Sequence, residues 1–383
     1  MKQRHFFALG LLVAVGLLTA SVPAVAAQRQ ASTPKVPDVS VAWTTGTPVP
    51  FAATRWDGEY VPQKNRVYFL GFRAADNTTD GSVWYYDVAT DTYVDTGRDM
   101  PVPVSNYAVS MLTDSRGLGL YIFGGRDNLG NLVTDVQVYY PAVNKATRVT
   151  TDPWPGKTPS NCVSLPAMGV ATAGNKAFVL GGVSFSAPPI NCVDEASAQA
   201  WIFDPAAPAG TRWSAAPNLN VARGYITAAV LGGNIYAIGG DTNVAGTLFA
   251  SPTVEAWKPG SPAWNDAGIA DLPVACDEST AFVNAGGPLR RGIVLATCGQ
   301  WPNDLPDTYF YKANTWTDIG AVNESRRNEA GAIIGTKMYI AGGYATDGFT
   351  ALASTETGVG GPIAARPGFS RPASRTGGKA STN

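Results

Sequence analysis

Short apolar runs that end in glycine recur along the chain and set its predicted architecture. Four of them close on a glycine pair: residues 121–125, 178–182, 236–240 and 339–343. Two weaker copies occupy residues 68–72 and 294–299. We define one marker residue for each copy, and the six markers, Gly71, Gly124, Gly181, Gly239, Cys298 and Gly342, lie 44 to 59 residues apart. An interval of this length holds one four-stranded sheet, so the pattern predicts a repeat protein made of β-strands.

Aromatic runs follow the markers at similar distances. After a loop rich in Asp, Asn, Thr and Gly they occupy residues 83–86, 136–140, 201–203, 254–257 and 309–311. A further turn leads to an aromatic side chain that we assign to the outermost strand, namely Trp213, Trp264, Trp316 and, as a variant, Tyr93. Glycine lets the innermost backbones crowd together, and large aromatics fill the wedge that widens outward between neighbouring sheets. This order is typical of a β-propeller.

The glycine pair followed by tyrosine and tryptophan resembles the repeat of the kelch family over roughly residues 40–357. The resemblance implies an all-β, six-bladed kelch-type β-propeller, with a distant likeness to the galactose oxidase central domain and to sialic acid mutarotase propellers. The sixth copy lacks an outer tryptophan strand, whereas residues 39–44 carry Trp43 ahead of the first blade. We therefore expect this N-terminal strand to close the ring as the fourth strand of blade six, giving a propeller domain of residues 38–359.

Both termini differ in composition from the repeat. Lys2 and Arg4 precede the apolar residues 6–18 and a small-residue stretch, so we interpret residues 1–27 as a signal peptide for export to the periplasm, cell envelope or medium. The alternative, a membrane anchor, is disfavoured because about 13 apolar residues fall short of the roughly 20 that cross a bilayer. Residues 28–37 are predicted to be a flexible linker, and residues 360–383 a disordered basic tail.

Overall composition narrows the choice of partners. The chain has 42 Gly and 28 Pro but only 15% charged residues, which favours short strands and tight turns. A net charge of −1 excludes a strong field for nucleic acid or acidic membranes, and we expect a monomer. In an oxidising compartment the four cysteines are expected to form the disulfides Cys162–Cys192 and Cys276–Cys298, rather than a metal site.

Histidine is missing from the predicted mature chain, because the one histidine, His5, lies in the signal segment. Catalysis by imidazole is thereby excluded, as is the histidine-ligated copper of galactose oxidase-type enzymes, and we predict no cofactor and no metal. The Asp-rich loops after the markers superficially resemble calcium loops, but ordinary turn chemistry explains them.

One residue per blade is expected to face the channel mouth where the innermost strand begins. Sixteen residues before the marker lie Arg55, Arg223 and Arg326, and Leu165 in the third blade. Allowing for short insertions, Asn106 and Asp277 or Glu278 take this place in the second and fifth blades. Converging guanidinium groups suit a carboxylate or phosphate, so we predict an acidic small molecule, sugar or peptide as ligand. The alternative is that each arginine pairs with a carboxylate of its own blade.

The function expected from these features is an exported binding or interaction module for a protein or an acidic ligand, with no catalytic residue assigned. The likeness to sialic acid mutarotases implies an alternative, a sugar isomerase that uses Asp277, Glu278, Glu324 or Glu329 as acid or base. A structural surface protein is the third possibility.

Overall fold

Antiparallel β-strands account for nearly all regular structure in the computed structural model, which describes residues 39–300 and 303–362. One short 3-10 helix, Gly287–Leu289, is the exception within these residues. No helix of the described part is long and apolar enough to cross a membrane. The predicted signal peptide, the linker and the tail from residue 363 onward lie outside the described residues.

The first half of the chain forms three sheets in sequence order. Sheet 1 contains Gly58–Val61, Arg66–Ala74, Thr79–Asp87 and Thr92–Asp99, with Ala53–Thr54 paired to one end of the second strand. Sheet 2 contains Ser105–Asp114, Gly117–Arg126, Val136–Tyr140 and Lys145–Val149. Sheet 3 contains Val170–Ala173, Lys176–Leu180, Ala200–Phe203 and Trp213–Ala216, with the short pair Val183–Ser184 and Glu195–Ala196.

The second half of the chain forms three more sheets, of which sheet 4 has three strands in place of four. Sheet 4 contains Thr227–Leu231, Asn234–Ile238 and Val254–Trp257, beside a smaller sheet of Arg223–Gly224, Asp241–Val244 and Thr247–Ala250. Sheet 5 contains Thr280–Val283, Ile293–Ala296, Asp307–Lys312 and Thr315–Ala321. Sheet 6 contains Ala330–Ile334, Lys337–Ala341, Thr355–Pro362 and Val39–Thr45, with the short pair Arg326–Arg327 and Tyr344–Ala345.

Sheet 6 joins the two ends of the described chain. Its outermost strand is Val39–Thr45, which runs antiparallel to Thr355–Pro362, with Val39 opposite Pro362 and Trp43 opposite Gly358. The indole Nε1 of Trp43 donates to Thr308 Oγ1 of sheet 5 at 3.1 Å. The strand continues three residues past the predicted domain boundary at residue 359, because Gly360 to Pro362 pair with Val39 to Val41.

The glycine pairs lie where one sheet meets the next. In three of the four pairs the second glycine donates its N–H across the seam: Gly182 to Arg223 O at 2.9 Å, Gly240 to Cys276 O at 2.8 Å and Gly343 to Ala53 O at 2.8 Å. At the marker Gly181, which has φ of +62°, an added Cβ would lie 2.1 Å from Arg223 O. A side chain there would push two sheets apart, which explains the marker pattern.

Apolar and aromatic side chains fill the space between neighbouring sheets. Between sheets 2 and 3, for example, Tyr121 and Phe123 pack with Val179 and Phe203. Trp213, on an outermost strand as predicted, has its ring centroid 4.9 Å from that of Phe203. Burying each such side chain is worth about 1.5–3 kcal/mol, so these seams supply much of the driving force for folding.

Both predicted cysteine pairs are disulfide-bonded. Cys162 and Cys192 link two loops of sheet 3, with their Cα atoms 6.3 Å apart. Cys276 and Cys298 flank the first two strands of sheet 5, with a Cα–Cα distance of 4.9 Å. Because Cys298 is a marker residue, the second disulfide lies at the seam where other sheets have a glycine.

Candidate functional site

Five residues with positive φ lie at the start of the first strands of five sheets. They are Arg55, Asn106, Tyr225, Glu278 and Asn328, with φ between 45° and 58°, and we call them the collar. Their backbones are linked from sheet to sheet: Asn106 N donates to Arg55 O, Arg55 N to Asn328 O, and Asn328 N to Glu278 O, at 2.8 to 3.0 Å. Left-handed backbone at a non-glycine residue costs about 1–3 kcal/mol, so the collar concentrates strain at one level of the fold.

Arg55 projects from the collar with most of its donors free. Its Nε donates to the Tyr344 hydroxyl at 3.2 Å, and its guanidinium carbon lies 5.3 Å from the Tyr344 ring centroid. Within the described residues, its two terminal nitrogens donate no hydrogen bond. Burial works against the charge, but nearby Tyr225, Glu278 and Tyr344 outweigh it and raise the pKa of Arg55. The guanidinium is therefore a permanent cation with unused donors.

Arg327 also lies near Tyr344, and its side chain is 4% exposed. Its Nε is 3.3 Å from Glu278 Oε2 and 3.6 Å from Asp304 Oδ1, and its Nη2 donates to Gly348 O at 3.1 Å. Its guanidinium carbon lies 4.9 Å from the Tyr344 ring centroid. Tyr344 thus has a cation near its ring from each of two sheets.

Arg223 and Arg326 take positions other than those predicted for them at the mouth. Both side chains are fully buried inside their own sheets. Arg223 donates to Gly239 O and Thr253 O, each at 2.6 Å, and pairs with Glu255 at 2.9 Å. Arg326 makes the equivalent contacts to Gly342 O, Ser354 O and Glu356. Both arginines pair with a carboxylate of their own sheet, which is the alternative raised from the sequence.

Carboxyl groups of sheets 4 and 5 form an acidic side to the same region. Gly240 N donates to Cys276 O at 2.8 Å, which places the following residues, Asp241 and Asp277, next to each other. Burial raises the pKa of Asp241 to about 6 and raises that of Asp277 well above its usual range. Burial also raises the pKa of Asp304. These groups therefore hold protons more tightly than exposed aspartates do.

Two further arginines, Arg73 and Arg126, complete the cationic side. The guanidinium carbon of Arg126 lies 4.9 Å from the Phe185 ring centroid, and Arg126 Nε donates to Gly130 O at 3.4 Å. Burial, together with the neighbouring charges of Arg55 and Arg73, lowers the pKa of Arg126. We use "the mouth" for the collar together with Arg73, Arg126, Asp241, Asp277, Asp304, Arg327 and Tyr344.

Buried polar atoms without a hydrogen-bond partner are concentrated in the mouth and in the adjacent residue Glu329. Of the nine buried side-chain polar atoms without a hydrogen-bond partner in the described residues, seven belong to Asp277, Asp304, Arg327, Asn328 and Glu329. An unpartnered buried polar atom costs about 1–3 kcal/mol, and native proteins contain few. Such a cluster is expected where a polar ligand or water completes the hydrogen bonding.

The other predicted site residues divide between the mouth and its surroundings. Asn106 donates from Nδ2 to the Tyr225 hydroxyl at 3.2 Å, inside the mouth. Leu165 is buried in an apolar cluster of sheet 3. Glu329 is buried behind the collar, where Thr297 Oγ1 donates to it at 2.8 Å and burial raises its pKa to about 7. Glu324 instead contacts Arg326 and Ser354 beside sheet 6, with 43% of its side chain exposed.

Sequence reasoning missed Arg73, Arg126, Asp241 and Tyr344, although a signal was present. Each lies two residues after a marker, at 71 + 2, 124 + 2, 239 + 2 and 342 + 2. The same offset gives Val183 and Gln300 in the third and fifth copies. Counting forward from the markers as well as backward would have found them.

A separate cavity of about 570 Å³ lies beyond the collar along the first strands. Asp57 and Glu59 line it together with Thr172, Thr227 and Asn284. Burial raises the pKa of Asp57 to about 7, and burial together with the charge of Asp57 raises that of Glu59 to about 8. This cavity is less acidic at neutral pH than its composition indicates.

Comparisons with known proteins agree on the fold. No family model matches the chain. It is 26% identical over 181 residues to beta-scruin of Limulus polyphemus, a match covering 46% of this chain and 18% of that protein. It is 26% identical over 195 residues to human kelch-like protein 25, covering 39% of this chain and 33% of that protein. The matches therefore span a third or less of these curated relatives.

A solved structure, described as the structure of YjhT, superimposes with a TM-score of 0.61 at 16% identity, covering 81% of this chain and 95% of that one. We therefore identify the fold as a kelch-repeat propeller. The predicted kelch resemblance is confirmed, and the mouth lies where the kelch-type glycine pairs bring the first strands of neighbouring sheets together.

Proposed function

We propose that the six sheets are the six blades of one ring, closed by the N-terminal strand. In support, the first strands of successive sheets are neighbours in order, and Ala330–Ile334 of sheet 6 lies beside Gly58–Val61 of sheet 1. Gly343 N bonds to Ala53 O, and Trp56 Nε1 of the first sheet donates to Ala341 O of the last at 3.1 Å. The glycine bond repeats between sheets 3 and 4, from Gly182 N to Arg223 O, and between sheets 4 and 5, from Gly240 N to Cys276 O.

We propose further that the protein is exported and acts as a binding module for an anionic ligand at the mouth. Export follows from the predicted signal peptide of residues 1–27, and two disulfides suit an oxidising compartment. The anionic preference follows from Arg55, Arg73 and Arg126, whose guanidinium groups donate to a tyrosine hydroxyl or a backbone carbonyl and to no carboxylate among the described residues.

The observation that carries this proposal is the combination of free guanidinium donors on Arg55 with unpartnered buried atoms on Asp277, Arg327 and Asn328. A carboxylate can accept two parallel N–H bonds from Arg55, while hydroxyl or amide groups of the same ligand satisfy the buried atoms. Acidic sugars and acidic peptides both carry these groups.

A binding screen tests the proposal directly. We would titrate the purified protein with N-acetylneuraminate, D-glucuronate, a glutamate-rich peptide and D-galactose, following melting temperature and heat of binding. An anionic ligand should stabilise the protein, and Arg55→Ala should weaken its binding by about 10- to 100-fold, since a charged hydrogen-bonded contact is worth about 1.5–3 kcal/mol.

The matched control is Arg98→Ala, because Arg98 is exposed on the outer strand Thr92–Asp99 and its guanidinium donates only to a backbone carbonyl among the described residues. Equal loss in both variants would contradict a specific site. If no anion binds, a structural surface role becomes the better explanation.

A second candidate, exchange of sugar anomers, is favoured by the acid–base arrangement of Asp277 and Glu278. Burial raises the pKa of Asp277 well above its usual range, and Glu278 is ion-paired with Arg327. One of the two groups, acting as a carboxylate, can remove the proton of the anomeric hydroxyl. The other, acting as a carboxylic acid, protonates the ring oxygen as the C–O bond of the sugar ring breaks. The reverse steps close the sugar ring on its other face and give the second anomer. The wild type should equilibrate the anomers of N-acetylneuraminate faster than the uncatalysed reaction does, as measured by NMR. Asp277→Asn should abolish this acceleration while binding persists. An uncatalysed rate in the wild type would refute this candidate.

A further inference from the structure

Four carboxyl groups lie close to one another on the acidic side of the mouth, and two of them contact the one buried guanidinium there, that of Arg327. Glu278 and Asp304 contact Arg327 directly, at 3.3 and 3.6 Å. Asp277 is the next neighbour, because an added Cβ at Gly299 would lie 2.6 Å from Asp277 Oδ1 and 3.1 Å from Arg327 Cβ. Asp241 is adjacent to Asp277 through the bond between Gly240 N and Cys276 O. Four ionised carboxylates with one cation would leave a large uncompensated buried charge.

The surroundings of Asp241 and Asp277 offer little compensation beyond Arg327. Within the described residues, Asp277 Oδ1 is buried without a hydrogen-bond donor. The titratable and charged groups that face the pair are Tyr225 of sheet 4, Glu278 of sheet 5 and Arg327 of sheet 6. Arg55 and Arg126 lie one neighbour further away, beside Tyr225, and Asp304 lies beside Arg327 and Glu278. Two adjacent carboxyls in such a place are stabilised by sharing one proton.

We propose that Asp241 and Asp277 share a proton and that the mouth binds its anionic ligand together with this proton. When the proton is present, the cations on the other side of the mouth dominate and an anion is attracted. When it leaves, a further negative charge appears in the same enclosed space and repels the anion. Affinity for an anion therefore rises as the pH falls. This inference rests on the proposed function of the mouth as an anion site.

Unliganded protein tests the shared proton by itself. An aspartate of the unfolded chain titrates near pH 4, so above that pH the folded protein holds a proton that the unfolded chain has released. The folding equilibrium constant should therefore fall by up to tenfold per pH unit, from about pH 4 until the shared proton is lost. Asp277→Asn, or Asp241→Asn if the first variant folds poorly, should flatten this dependence.

The control for charge alone is Asp99→Asn, on the exposed end of the strand Thr92–Asp99. Its profile of stability against pH should follow that of the wild type. If the profiles of Asp277→Asn and Asp241→Asn also follow the wild type, no proton is shared and the inference is overturned.

Calorimetry with D-glucuronate as the probe tests the linkage to binding. At a pH where the free protein has lost the shared proton, titrations in two buffers of different ionisation enthalpy should show uptake of about one proton per bound anion. In the same pH range, affinity for the anion should fall about tenfold per pH unit. Asp277→Asn should remove both effects. Binding with equal affinity at all pH values and no proton uptake overturns the inference but leaves the anion site standing. Absence of binding at every pH contradicts the proposed function and removes the linkage with it.

Discussion

Buried arginines in this fold serve two separate purposes, and two arginines that are adjacent in sequence can differ in purpose. Arg326 lies inside sheet 6, where it binds Glu356, whereas Arg327 reaches the mouth and contacts Glu278. Arg223 in sheet 4 makes the same three contacts, to two backbone carbonyls and one glutamate, whereas Arg326 also contacts Glu324. These inner arginines donate to the carbonyl of a marker glycine, so they hold the second and third strands of a sheet in place beside its first strand.

The inner ion pair of sheet 4 gives a test at this scale. Glu255→Ala would leave the charge of Arg223 buried without a counter-ion, and we expect a loss of about 3–5 kcal/mol in the free energy of unfolding. Glu255→Gln should lose less, because a neutral amide keeps one acceptor oxygen for the backbone, as Gln137 of sheet 2 does when it accepts from Val102 N and donates to Val102 O. Urea unfolding measures both. Asp99→Ala is the control, and a loss below about 1 kcal/mol for Glu255→Ala would contradict the buried-pair argument.

Single residues of the mouth were only partly predictable from the sequence. A fixed distance from the markers located Arg55, and with short insertions Asn106, Asp277 and Glu278. The same count selected Arg326 instead of Arg327, because successive side chains in extended backbone point to opposite faces and an error of one residue reverses the direction. Burial and ion pairing of Arg223 could not be read from spacing, since its partner Glu255 lies two strands away.

At the scale of strands, the predictable parts are those with long apolar patterns. The marker runs belong to second strands, such as Asn234–Ile238, and the aromatic runs to third strands, such as Val254–Trp257. The outer strands carry the aromatic residue of the repeat less regularly than the third strands do. That of sheet 2, Lys145–Val149, carries no aromatic, and Trp154 packs against Trp213 from the loop beyond it, which explains why no outer aromatic could be assigned there.

Short strands at the mouth escaped prediction for a physical reason. Arg326–Arg327 and Arg223–Gly224 are two residues long, too short for any alternation to be recognised. They form because the residues after each glycine pair run back alongside the start of the first strand, as Tyr344 does opposite Arg327. Those same short pairings present Tyr344 and Asp241 to the mouth, so the part of each sheet that is hardest to predict carries most of the candidate chemistry.

For the molecule as a whole, the mouth exists only where distant parts of the chain meet. Arg55 and Tyr344 are 289 residues apart in sequence, and the backbone of Arg55 is bonded to Asn328 of sheet 6. Anything that loosens sheet 6 should therefore disturb the cationic and acidic sides of the mouth together. The stability of the N-terminal strand, which is the outer edge of sheet 6, is therefore expected to be a condition for the proposed binding of an anion.

Loss of that strand should destabilise the whole molecule. Removing residues 39–45 would expose the edge of Thr355–Pro362 and delete Trp43, which packs between sheets 5 and 6 and bonds to Thr308. We expect one cooperative transition at a clearly lower melting temperature, and weaker binding of any anion that requires Arg55. Trp43→Ala, which keeps the strand, should lose about 3 kcal/mol, and Thr44→Ala at an exposed position should lose little. Unchanged melting of the truncated protein would contradict the proposed closure by the N-terminal strand, whereas melting in two steps would mean that sheet 6 unfolds without the rest. A single lowered transition accompanied by loss of binding is the outcome that the proposed closed ring requires, because six sheets joined in a ring would support one another through every seam.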